Sequence, residues 1–459
     1  VFNHNEALLY RWVEELDPPL FSRIQSLVKQ GKWRIIGGFE LQPDCVIPSG
    51  ESYLRQIIRG QRYFSEKFGV KVTEAVNFDS FGHSRGIVQI LKKCGYRAYL
   101  FMRPEAHKTE LPKDFIWVGA DGSEVMAHRL TTSYNSLLGA NRAELEGWIA
   151  CRNLEEAELY TWGVGDHGGG PSQKDIEDIA ALKEENPYPD LELIHSSVRE
   201  YFDEVERLYQ ARIWNQKYVA KSLYSSNVGC YTSMAEIKKA HRKLENELIK
   251  AEKTAALLEL NGMWEYPAEQ LDSAWKELSF LQFHDILPGT ITQPVMETML
   301  EKFGKALDMA QEITSKGLLA LSAYEAKAKD GEIPILVYNP HPYPIQEVIE
   351  CEFILQNQNW DANTQTLARV FQNGNEIPSQ MTKEDSSIPL DWRKKVAFSA
   401  ELSPFSITRF DCQLQTVAKT ADACLEDFRF DNGEISCVIN PKTGLMDQFC
   451  LNGVRMASD

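Results

Sequence analysis

The hydrophobic period of this 459-residue chain changes twice, and few architectures accommodate all three stretches. From residue 1 to about 205, short apolar runs alternate with helix-like segments. Trp33 to Gly38, Thr73 to Val76, Ala98 to Met102, Glu124 to Leu130 and Glu158 to Trp162 read as strands, and Ser52 to Phe68 reads as a helix. Strand and helix in turn predict a mostly parallel sheet covered by helices. Near Met234 the period lengthens. Ile237, Leu244, Leu248, Ala251, Ala255 and Leu258 recur at three- and four-residue steps, predicting a long amphipathic helix closed by Asn261-Gly262. A second helix from Ala268, stopped by Pro288-Gly289, and a third from Gln293 to about Lys327 complete a predicted helical bundle. From Ile333 onward β-rich runs separated by turn residues predict a β-sandwich. The expected domains are therefore residues 1–205, 206–328 and 329–459, an α/β, then α, then β order.

Composition narrows the partners. A formal net charge of −17 argues against nucleic acid or an anionic membrane and suits a neutral ligand such as a sugar. No apolar run reaches the roughly 20 residues of a membrane helix. Nine cysteines lie scattered with no C-x-x-C pair, which favours a reducing, cytoplasmic setting over a disulfide framework. Composition is silent on assembly and leaves a homo-oligomer open. The chain begins at Val1 rather than Met, so the natural N-terminus is expected to lie upstream.

Chemistry concentrates in Asn77-Phe78-Asp79-Ser80-Phe81-Gly82-His83-Ser84. An acid, an aromatic ring and an imidazole lie within five residues, after a strand-like run and before the helix-like Ile87 to Leu91. Carboxylates at strand ends that feed helices are where α/β proteins carry chemistry, as nucleophile, base or metal ligand. Asp79 or Ser84 could equally serve as a helix cap. Spacing alone leaves both readings standing.

Asp79 to Ser84 resembles the D-x-F-G-H-S signature of the α-mannosidases of glycoside hydrolase family 38. Gly37-Gly38-Phe39-Glu40-Leu41-Gln42-Pro43-Asp44, with Ser49-Gly50-Glu51-Ser52, is similar to the family's G-G-x-x-x-x-P-D and S-G-E-S stretches. Gly163-Val164-Gly165-Asp166-His167-Gly168-Gly169-Gly170-Pro171 resembles the G-x-G-D-x-G-G-G-P loop of bacterial and cytosolic-type members. His284-Asp285-Ile286-Leu287-Pro288-Gly289-Thr290 is similar to H-D-x-x-x-G-T. The motifs occur in family order.

The resemblance implies a seven-stranded β/α barrel in the first domain, its first strand missing, and a zinc-assisted retaining exo-α-mannosidase acting on mannose-containing oligosaccharides or mannosides. It implies that Asp79 is both nucleophile and zinc ligand, that His284 binds zinc and that Asp285 contacts substrate hydroxyls. Phe81 would stack beside the sugar, and Arg103 would steady the nucleophile's charge. A retaining glycosidase needs a second carboxyl about 5–5.5 Å from the nucleophile. Asp166 is the candidate acid/base, with His167 competing. The glycine-rich loop around it lacks the Walker spacing of a phosphate cradle. The family's two remaining zinc ligands belong to an H-x-D motif expected upstream of residue 1, for which Asn3-His4-Asn5-Glu6 does not substitute. The chain is thus expected to be an internal piece of a longer enzyme, its sandwich cut short. Two other readings are a carbohydrate-binding relic without catalysis and a metal-dependent carbohydrate deacetylase. An upstream H-x-D motif separates the enzyme from the relic.

Overall fold

The computed structural model describes residues 1–151, 157–165, 169–211, 216–224, 227–386, 390–419 and 428–456. The chain divides into two compact units, Val1–Tyr324 and Glu325–Asp459.

The first unit opens with β1 (Phe2–His4), α1 (Ala7–Leu16), α2 (Pro18–Lys29) and β2 (Trp33–Ile35), with β1 and β2 paired in parallel. Next come α3 (Gly50–Phe68), β3 (Glu74–Asn77), β4 (Gly82–His83), α4 (Ile87–Lys93) and β5 (Ala98–Phe101). β6 (Asp114–Val118), β7 (Glu124–Arg129), α5 (Asn141–Ala150), α6 (Gln173–Glu185) and α7 (Val198–Gln210) precede two short strands, β8 (Tyr218–Val219) and β9 (Leu223–Tyr224). The main sheet has the order β3-β5-β7-β6-β8. β3, β5 and β7 are mutually parallel, β6 runs against β7, and β9 pairs with β4.

Both faces of this sheet are covered, as the near-continuous apolar runs demand. Alternate residues go to opposite sides. Ala75, Tyr99 and Phe101 join Tyr53, Phe64 and Leu91 on one side, while Val76, Ala98 and Leu100 meet Tyr201, Phe202 and Val205 of α7 on the other. α3 begins at an N-cap where Ser49 accepts from the Ser52 amide, and it ends at Gly69 in the left-handed region. A Cβ on Gly60 in α3 would lie 2.4 Å from the Gly38 carbonyl oxygen, so only glycine permits this approach to the Gly38–Phe39 turn.

The bundle follows the 3.6-residue period closely. α8 (Ala235–Leu260), α9 (Ala268–Leu281) and α10 (Gln293–Ser322) share a core that includes Ile237, Leu244, Leu248, Leu278, Phe303 and Ile313.

Four features differ from the sequence reading. Glu158 to Trp162 forms no strand. Leu159 packs on the cluster of β3 and α7, Tyr160 packs on the small cluster of α5 and α6, and side-chain bonds replace a ladder, as when Thr161 Oγ1 donates to the Ser133 carbonyl at 3.0 Å. A boundary at 205 would fall inside α7 and would detach β8 and β9 from the strands they pair with. α9 stops at Leu281, ahead of Pro288, because the chain turns to pair with residues 42–44: His284 N–H donates to the Gln42 carbonyl and Asp44 N–H to the Gln282 carbonyl. Finally, the β1–β2 ladder is not continuous with the main sheet, although Gly37 N–H, just past β2, donates to the Glu74 carbonyl of β3 at 2.9 Å, and the ladders among the described strands trace no closed barrel.

The second unit is built of antiparallel sheets. β10 (Glu332–Asn339), β11 (Ile345–Asn359), β12 (Thr364–Gln372), β13 (Asn375–Glu376) and β14 (Ser379–Thr382) lead to β15 (Asp391–Leu402) and β16 (Ser406–Ala418). Sheets β10-β16-β12-β13 and β11-β15-β14 bury one shared cluster, in which Phe398 of β15 lies 4.8 Å from Phe410 of β16. Two facing sheets around one core are a sandwich. Along β15, Lys394, Val396, Phe398, Ala400 and Leu402 are buried in strict alternation. The hairpin series β17 (Arg429–Asp431), β18 (Ile435–Ile439), β19 (Met446–Leu451) and β20 (Val454–Arg455) forms a further sheet.

Candidate active site

β3 and β5 are parallel neighbours in the register Asn77 to Phe101. The residue two positions beyond each strand end therefore sits on the same edge: Asp79 and Arg103. Arg103 Nε donates to Asp79 Oδ1 at 2.9 Å, and a second guanidinium nitrogen donates to the same oxygen. The guanidinium carbon stands 5.2 Å from the centre of the Phe81 ring, while Arg103 also pairs with Glu105 at 3.1 Å. Charge-assisted bonds of this kind are the strong ones, and a cation over an aromatic face adds to them. Asp79 and Arg103 are both only about one-fifth exposed (21% and 20%), so solvent weakens the pair less than on an open surface.

The other oxygen, Asp79 Oδ2, faces His284 Nε2 at 3.8 Å. His284 reaches this place because of the turn after α9. Its Nδ1 lies 3.2 Å from the Gln42 carbonyl. A carbonyl only accepts, so Nδ1 donates to it, and Nε2 is the ring nitrogen turned toward Asp79. Two donors around a tetrahedral zinc ion at roughly 2.0–2.1 Å lie about 3.3 Å apart. The Asp79–His284 pair has nearly that spacing and the usual zinc chemistry, and so fits as two donors of such a site. Among the described residues no group of three or more His, Cys, Asp or Glu is placed to hold a metal ion.

The structure thus brings Asp79, Arg103, Phe81 and His284 together. Asp285 follows His284 in the chain, and its carboxylate accepts from Thr290 Oγ1 at 2.6 Å, closing the turn that Gly289 and Thr290 complete. Asp166 and His167 lie outside the described residues. His83, the imidazole of the same signature, is not at the site. It is fully buried, its Nδ1 lies 2.7 Å from the Tyr99 hydroxyl, and burial pushes its pKa down to about 3.

Sequence reasoning quoted residues 37–44 as a motif but missed its part in the site. Asn77 Nδ2 and Ser80 Oγ both donate to the Pro43 carbonyl at 2.9 Å, and the Phe78 amide donates to Gln42 Oε1 at 2.6 Å. Gln42 Nε2 donates to Glu6 Oε1 at 2.9 Å. Glu6 is buried, which pushes its carboxyl above the ordinary range. Asp44 is also buried, its pKa raised by burial, and its Oδ1 accepts from the Val46 and Ile47 amides, which fixes the turn that follows it. Nothing in the spacing of Glu6 and Gln42 signals their meeting, since they lie 36 positions apart.

With the fold and site in place, comparison with known proteins is decisive on lineage. Residues 1–221 match the glycosyl hydrolases family 38 N-terminal domain, and residues 227–321 match the alpha mannosidase middle domain. The chain belongs to glycosyl hydrolase family 38. It is similar to human "Alpha-mannosidase 2C1", 31% identical across 76% of this chain and 33% of the relative. It is also similar to "Alpha-mannosidase G" of Dictyostelium discoideum, 28% identical across 82% of this chain and 36% of that protein. The chain spans about a third of the length of these relatives (33% and 36%). The fold is shared with an alpha-mannosidase from Enterococcus faecalis V583, with a TM-score of 0.72 at 20% identity, covering 97% of this chain and 55% of that one.

Proposed function

We propose that this chain carries the nucleophile-bearing part of a retaining exo-α-mannosidase that removes terminal α-mannosyl residues from glycans or small mannosides. The observation that supports it most is the carboxylate of Asp79, clamped by Arg103 on one oxygen and facing His284 across 3.8 Å on the other. It stands at the carboxyl edge of parallel strands in a family 38 chain.

Asp79 attacks the anomeric carbon while the glycosidic oxygen leaves with a proton, and water then releases mannose from the covalent mannosyl-enzyme. Arg103 holds the carboxylate in place and balances its charge. The proton comes from Asp166, with His167 as the competing donor. Phe81 borders the sugar, and Asp285 receives hydroxyls of the ring. Zinc belongs to the same proposal, held by Asp79 and His284 with further donors outside the described residues. When bound it supplies a Lewis-acid contact that orients sugar hydroxyls.

The seven-stranded barrel is part of the proposal too. So is the division into catalytic, middle and sandwich domains, its first boundary drawn after β9 rather than at 205. A cytoplasmic location is proposed because eight cysteines among the described residues are free thiols. No helix among the described residues is long and apolar enough to cross a membrane.

The test is hydrolysis of an aryl α-mannoside by the protein in its natural full length, with and without a chelator, beside Asp79→Asn. Loss of turnover in both arms is the expected result. A folded, zinc-loaded protein that releases no mannose would contradict the reading.

A further inference from the structure

Gln42 touches both halves of the site through different atoms. Its main-chain carbonyl receives His284 twice, from the amide at 3.3 Å and from Nδ1 at 3.2 Å. Its side-chain oxygen receives the Phe78 amide at 2.6 Å, one residue before Asp79. An amide side chain has one accepting and one donating end, and here the donating end is taken by Glu6 Oε1 at 2.9 Å. The Phe78 amide can only donate, so it must meet the oxygen of Gln42, and Glu6 Oε1, by accepting from the other end, holds the amide in that orientation. Gln42 and Glu6 are 8% and 9% exposed, leaving little room for water to replace either bond. Glu6 also keeps a backbone φ of 68°, a region that non-glycine residues seldom occupy, at the corner between β1 and α1. A strained residue that is kept in place implies that its surroundings require it.

We propose that Gln42, oriented by Glu6, is a positioning residue that sets the Asp79 loop against His284 for the reaction proposed above. The inference rests on that reading for its catalytic consequence but not for its structural one. Residues that orient a ligating or catalytic side chain typically cost roughly 10–100-fold in activity or metal affinity when lost.

The experiment compares Glu6→Met, which removes the acceptor, with Glu6→Gln, whose amide oxygen retains it. Two quantities are read on the full-length protein: kcat and KM on an aryl α-mannoside, and hydrogen exchange at the Phe78 amide. Glu6→Met is expected to lower kcat at least tenfold with KM within twofold, and to speed Phe78 exchange at least tenfold. Glu6→Gln is expected to restore most of both. If Glu6→Met does not fold, Gln42→Met reads the same two quantities. Unchanged exchange and kcat in Glu6→Met would overturn the proposal, as would a Glu6→Gln variant no better than Glu6→Met. Absence of turnover in the unmodified protein would sink the mannosidase reading, while the exchange comparison would still decide whether Gln42 is clamped.

Discussion

Asp79 and Arg103 are a pair whose value depends on geometry, because the guanidinium gives two donors to one oxygen and lays its face over Phe81. Lysine keeps the charge but cannot reproduce the fork or the stacking. Arg103→Lys is therefore expected to lower kcat about 10- to 100-fold, equivalent to about 1.4–2.7 kcal/mol of barrier. Steady-state kinetics on an aryl α-mannoside check this, and a variant within twofold of the parent would remove Arg103 from the site. At this scale the sequence was most legible where motif and register coincide. Asp79 and Arg103 each follow a readable strand, so their meeting follows from pairing β3 with β5. Glu6 was illegible because its partner is set by a chain corner, which no local period encodes.

Elements behave as their periods predict wherever one apolar face meets one core. α3, α8 and α10 follow that rule. The departures come where tertiary pairing overrides local pattern. Glu158 to Trp162 alternates like a strand yet divides its side chains between two clusters, and α9 yields its end to residues 42–44. The tight seat of α3 is testable. Gly60→Ala would push a methyl against the Gly38 carbonyl at 2.4 Å, and it is expected to cost about 1–3 kcal/mol, read by denaturant unfolding.

The bundle offers a pH test. His241 of α8 is fully buried between Gln282 and Phe303, beside Glu245 and Arg242 of its own helix. Burial pushes its pKa down to about 4 from an ordinary 6.5, Glu245 opposing and Arg242 assisting. The unfolded chain therefore takes up a proton between about pH 6.5 and 4 that the folded chain refuses, so stability falls as pH drops through that window. His241→Gln is expected to reduce that slope by up to about 1.4 kcal/mol per pH unit. Some slope will remain, since burial also depresses His4 and His83. An unchanged slope would mean that His241 is not buried neutral.

Across the whole molecule, the order of α/β, α and β segments was readable from changes of period, because each layer type imposes its own repeat on long stretches. Closure of a barrel was not readable. Closure depends on which strand edges meet, and the apolar pattern of a buried strand is the same in an open sheet as in a barrel. The most direct test of the central claim uses a fluorinated, slow-turnover α-mannoside with a good leaving group, followed by peptide mass spectrometry. A mannosyl-sized mass increment on the peptide carrying Asp79, absent in Asp79→Asn, is the expected result. Turnover with no label, or a label on any other carboxylate, would contradict the claim that Asp79 is the nucleophile of a retaining mannosidase.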